Sequence, residues 1–128
     1  MDPRTRRLGG LLDVQRRLLS VHEARRAGHL VAAERAMAEA ADLKARADGE
    51  SSFSSVFPDL YSKRIEAALN RAAIARGQAA EEAGRVAAAT LRTRRVEEAF
   101  RAALSVDERR EQERETLEAM EIRLARQP

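Results

Sequence analysis

The chain has 128 residues, no cysteine, and 26 alanines, 22 arginines and 15 glutamates against four aromatics. That is the composition of long helices or coiled coils, with too few aromatics for a globular aromatic core. Without cysteine there is no disulfide framework, thiolate metal site or cysteine nucleophile, and a reducing cytoplasm is the expected compartment; the net charge of +3 is too small to mark a nucleic-acid binder by its sum.

The opening MDPRTRRLGG has basic residues but no 7–15-residue apolar region after them, and no apolar run approaches ~20 residues. Neither a cleaved signal nor a membrane span is expected. A first helix is predicted over 5–48. Its apolar residues recur at steps of three and four: Leu8, Leu11 and Leu12, Leu18 and Leu19, then Leu30, Ala33, Met37, Ala40, Leu43 and Ala47,. Between Leu19 and Leu30 the stripe passes through His22, Arg26 and His29, where the seam is either locally wet or shifted in phase by a stutter,. The pattern stops at Asp48-Gly49, and glycine suits a left-handed helix stop.

Residues 49–57 form the predicted connector. A second helix is predicted over 58–125, because Pro58 is tolerated in a first turn and Asp59 suits the positive end of the helix dipole. Its stripe takes Ile65, Leu69, Ala72, Ala79, Ala83, Val86, Val96, Phe100, Ala103 and Leu104, then Val106, Leu117, Met120 and Leu124. Gly77 and Gly84 each cost roughly 1 kcal/mol relative to alanine, with bending or close packing expected near them.

A connection this short makes neighbouring helices antiparallel. The fold class is therefore all-α, a two-helix coiled-coil hairpin with a longer second helix, and 1–128 is one hairpin. With the turn near Phe53, residue 8 lies opposite about residue 98. The segment after about Leu104 then has no partner in the chain. At ~1.5 Å per residue the helices are about 65 Å and 100 Å long. An alanine-lined seam buries little area per residue, so the pair should gain stability from a partner or from self-association.

The Ser-rich connector carries aromatic residues. Phe53, Phe57 and Tyr61 at the hairpin apex either staple the turn over the open seam or anchor a partner at the tip. Charge falls in blocks: +4 over 1–26, −3 over 27–59, +5 over 60–96 and −3 over 97–128. Alternating blocks suit helix-to-helix or protein-to-protein matching.

Catalytic patterns are missing. His22 and His29 share a face but lie ~10 Å apart along the axis, too far for one metal ion, and read as polar seam residues. Glu108, Glu111, Glu115 and Glu118 are interleaved with Arg109, Arg110 and Arg114, as on a solvated ion-paired face. There is no phosphate-binding glycine loop, Ser/His/Asp set or zinc-ligand spacing. No enzyme activity, cofactor or metal is expected. Arg92, Arg94 and Arg95 with Arg85, and Arg4, Arg6 and Arg7 with Arg16 and Arg17, leave open a basic surface for nucleic acid without sequence specificity.

Together the hairpin, the N-terminal R7-L8-x-x-L11-L12, Tyr61 at the start of the second helix, Gln78 in its middle, and the runs V96-E97-E98-A99-F100-R101 and E108 to E121 resemble the FliJ family, the small coiled-coil components of the flagellar type III export apparatus with relatives in virulence secretion. The resemblance covers nearly the whole chain through motifs of low specificity. It implies a cytoplasmic stalk, peripheral to the inner-membrane export apparatus. Its paired ends would enter the hole of a hexameric export ATPase, promote ring assembly and link the ring to the membrane export gate, with export chaperones as further partners. On that resemblance Arg6, Arg7, Leu11 and Leu12 with Arg109, Arg110, Glu113, Arg114 and Leu117 are the ATPase contacts. Tyr61, Arg64, Ala68 and Arg71 occupy the gate-facing side, with little bulky apolar surface. A generic helical adaptor or export chaperone shares all of these features.

Overall fold

A computed structural model describes residues 1–49 and 56–127. Two α-helices pack against each other antiparallel, α1 over Pro3–Ala47 and the longer α2 over Pro58–Arg126. Phe53 lies outside the described residues.

The helix ends follow from local chemistry. α1 begins two residues earlier than its apolar pattern predicts, because Asp2 accepts the Arg6 amide on its carbonyl at 3.0 Å and Pro3 supplies a preset φ at the first helical position. Its far end closes through Asp48 N to Lys44 O at 3.0 Å and Gly49 N to Arg46 O at 3.2 Å. No described glycine takes a positive φ, so the left-handed stop expected at Gly49 is replaced by a tightened last turn. At the start of α2 the Phe57 carbonyl accepts from Leu60 and Tyr61, with Pro58 and Asp59 in the first turn as expected.

The chain forms two compact units, Ser20–Ala88 and Met1–Leu19 with Ala89–Pro128. In the first of these, the side chains turned inward from α1 are His22, His29, Ala33, Ala36, Ala40 and Leu43, and from α2 Ile65, Ala68, Ala72, Ala75, Ala79, Glu82 and Val86. Those steps of three and four keep a strict seven-residue period. Leu43 is the only fully buried apolar side chain of this unit, among the described residues, that is larger than alanine. In the other unit the seam takes Thr5, Leu8, Leu12, Gln15 and Leu19 against Ala89, Thr93, Val96, Phe100, Ala103 and Asp107.

The seam differs from the stripe drawn through the largest apolar residues. Leu11, Leu18, Leu30 and Leu69 are each more than 40% exposed and Met37 is exposed too, whereas His22, His29 and Ala36 stand in their place. No stutter occurs: Leu19, His22, Arg26, His29 and Ala33 stay in phase, and exposed Arg26 marks the locally wet step.

Gly9 has a packing role. A methyl group there would sit 3.1 Å from Cε2 of Phe100, so the missing side chain admits the ring. Gly28, Gly77 and Gly84 have nothing within 4 Å, which corrects the close packing expected near the last two. Gly28→Ala is therefore expected to raise stability by about 1 kcal/mol through helix propensity alone. Gly9→Ala should return less, because its gain is offset by displacing Phe100; paired urea melts followed by circular dichroism distinguish the two.

Candidate functional site

Two polar arrangements break the apolar seam. In the Ser20–Ala88 unit, Glu82 is buried at 4% exposure and occupies a seam position that apolar patterning passes over. Nδ1 of His22 donates to Glu82 Oε2 at 2.9 Å, and Arg85 Nη1 donates to Oε1 at 2.7 Å. Both carboxylate oxygens are thereby satisfied, as a buried charge requires. Donation from His22, with Arg85 beside it, holds the Glu82 carboxyl below the ordinary carboxylate range against the opposing effect of burial.

A lowered folded-state pKa means stability that is present above the unfolded value, about 4.3 for glutamate, and lost as pH falls through the folded value. Glu82→Gln should therefore flatten the acid limb of stability. Urea midpoints at neutral and acid pH are the check: the wild type should lose more on acidification than the variant, and equal losses would remove this role.

In the other unit, Asp107 Oδ2 accepts the Asp2 amide at 3.2 Å. The buried Thr5 hydroxyl, the Asp2 amide and nearby Arg110 lower the Asp107 carboxyl pKa. This sets the first turn of α1 beside Asp107, and Gly9 beside Phe100. The unpaired part of α2 thus begins a few residues later than the Leu104 expected from the sequence. A groove of about 230 Å³ opens here, lined by Arg4, Thr5, Ala99, Ala102, Val106 and Arg110 among others. From Glu108 to the end of α2 at Arg126, and at Gln127 after it, every residue is exposed.

The proposed contacts with the ATPase ring divide between these regions. Arg6 and Arg7 are exposed and Leu11 is 43% exposed, but Leu12 is 4% exposed. Leu12 faces the partner helix and has little side chain to offer another protein. Arg109, Arg110, Glu113, Arg114 and Leu117 lie beyond Asp107, exposed, and Arg114 pairs with Glu111 one turn back. They extend past the start of α1 instead of lying beside Arg6 and Arg7.

On the early part of α2, Tyr61 is half-buried, and Arg64 and Arg71 are exposed, with Arg71 bound to Glu39 at 2.9 Å. Ala68 has no exposed surface. Its expected place on an outward side is corrected: it is in phase with Tyr61, Ile65 and Ala72 on the seam. At the apex Phe57 is 54% exposed.

The arginines do not form one basic face. On either side of the seam positions Thr93 and Val96, helical geometry puts Arg92 and Arg95 on one flank and Arg94 on the other. Arg101 donates to Glu97 at 2.6 Å, and Arg16 approaches the same carboxylate at 4.0 Å. The one aromatic near them, Phe100, is turned to Gly9. Among the described residues no group of three or more His, Cys, Asp or Glu could hold a metal ion, and no helix is long and apolar enough to cross a membrane.

The fold and its polar sites define a class, the antiparallel two-helix coiled-coil hairpin whose second helix continues beyond Asp107 as an extension with every described residue exposed. Comparison with protein-family models, with curated proteins and with solved structures gives no match.

Proposed function

We propose that the chain is a non-enzymatic coiled-coil component of a flagellar or type III protein export apparatus, a stalk that binds the export ATPase ring, promotes its assembly and couples it to the export gate. The observation that carries this reading is the extension from Glu108 to Gln127, exposed on every side and dense in charge. A ring that grips a shaft needs such a segment, because its inward-facing side chains can surround a lone helix. The resemblance of 108–121 and of R7-L8-x-x-L11-L12 to the FliJ family supplies the partner. In this role Arg6, Arg7 and Leu11 meet the mouth of the ring, and Arg109, Arg110, Glu113, Arg114 and Leu117 meet its interior. Tyr61, Arg64 and Arg71 would be left for the gate, with Arg71 engaged to Glu39. The protein would work in the cytoplasm, held at the inner membrane by its partners.

The test is light scattering of the cognate export ATPase with and without this protein, with turnover read on the same samples. A shift to hexamers with faster hydrolysis is the expected result. No shift in an otherwise active ATPase would overturn the stalk and favour an adaptor or export chaperone, which binds exported subunits without affecting the ATPase. A strongly salt-dependent association with DNA or RNA would instead identify a nucleic-acid role.

A further inference from the structure

Two exposed stripes in the unit Met1–Leu19 with Ala89–Pro128 share one template and carry opposite charge at the same place. On α1, Arg7 is followed by Leu11, Val14 and Leu18, all more than 40% exposed; beyond Asp107, Glu113 is followed at identical spacings by Leu117, Met120 and Leu124, all more than 50% exposed. We propose that the chain self-associates through these stripes, with the extension of one copy seated along the α1 stripe of a second.

The seat is shaped for a helix. Arg4 and Val106 line one groove, and Leu11 and Leu18 follow Arg4 at seven-residue intervals, so they continue the same wall. Arg95, seven residues before the groove-lining Ala102, rims the opposite wall. A helix parallel to α1, with Leu117 beside Leu11, brings Glu113 to Arg7 and Glu121 toward Arg95. The reverse direction would only exchange the two glutamates between the same two arginines, but it would carry Leu124 from the level of Leu18 to that of Arg4 and lose the apolar match.

Symmetry lets two such contacts form together. Leu117 lies about 15 Å beyond Asp107 along α2, and Leu11 about 14 Å inward from Asp2 along α1 at 1.5 Å per residue. Asp2 and Asp107 are in contact. A two-fold axis across that end inverts the second copy and seats both extensions at once, each parallel to the other copy's α1, as a closed isologous pair requires. This inference does not depend on the export reading, and a seated extension would be withheld from any ring.

Sedimentation equilibrium of the full chain over a concentration series tests it. The expected mass rises to twice the 14.2 kDa of one chain. Two sets of exposed substitutions are compared: Arg7→Glu with Arg95→Glu, and Glu113→Arg with Glu121→Arg. Each set alone should weaken association tenfold or more, and mixing the two should restore it, because both reciprocal contacts again join opposite charges. Circular dichroism verifies that both remain helical. A monomer at every concentration overturns the proposal. So does a dimer indifferent to both sets, which would place the contact elsewhere, and so does an extension that binds only a different protein.

Discussion

Ala72→Leu is expected to lower stability by about 1–3 kcal/mol, the usual range for forcing methylenes into a packed seam. Ala72 is 1% exposed and Ala68 not at all, and they sit one helical turn apart in a seam lined by alanine. Leucine at either position must push the helices apart, which costs contacts at the neighbouring alanines as well. Ala73→Leu, one residue along and exposed, should change little. Urea melts of the three variants separate a close-packed seam from a loosely associated pair; equal behaviour of Ala72→Leu and Ala73→Leu would rule out the close packing.

Reversing Arg109, Arg110 and Arg114 to Glu should bring export-ATPase stimulation down to the rate of the ATPase alone while helicity stays near wild type. These side chains are exposed, and Arg114 donates within its own turn, to both carboxylate oxygens of Glu111. Removing them therefore costs the hairpin little, as exposed ion pairs contribute little to stability. Arg110 does help lower the Asp107 carboxyl pKa, so the helical signal is checked on the same sample. Replacing the three with Lys should keep much of the stimulation if charge carries the contact, and lose it if bidentate geometry does. Undiminished stimulation by the Glu variant would remove the extension from the ATPase contact.

The helices were readable from the sequence nearly to the residue. The predicted 5–48 and 58–125 correspond to Pro3–Ala47 and Pro58–Arg126, because Pro58-Asp59 and Asp48-Gly49 are strong local signals. Asp2-Pro3 was an equally good start signal, hidden behind an apolar pattern that begins only at Leu8. The seam was harder. Large apolar residues draw the eye to Leu11, Leu18, Leu30 and Met37, yet the phase that closes two long helices is the one shared by the alanines, by His22 and by His29. In a seam made of small side chains, spacing decides which face is inward more than bulk does.

Polar seam members were invisible to hydrophobic patterning for the same reason. Thr5, Glu82 and Thr93 are buried but register as breaks in an apolar stripe. Strict seven-residue counting from Ala75 and Ala89 would have found Glu82, and counting from Ala36 and Leu43 would have found His22. The unpaired extension was legible from helix lengths alone, whereas the buried state of Leu12 and Ala68 required the seam's phase.

The alanine seam leaves the hairpin open to sliding. If α1 moved by one heptad in the Ser20–Ala88 unit, alanines would largely replace alanines, and Glu82 would find His29 where His22 had been, an equivalent ring seven residues on. The buried carboxylate does not distinguish the two settings, but Leu43 does, because the slide would seat it in the place of buried Ala36 and press the helices apart. The outer charges add to this: the same slide takes Arg71 away from Glu39, its partner at 2.9 Å, and brings it to Arg46. Alignment along this stretch is thus chosen partly at the wet margin, by repulsion in the wrong setting in the manner of flanking charges in coiled coils, and partly by one large side chain, while the alanines and the buried carboxylate supply cohesion with little preference for where it is applied.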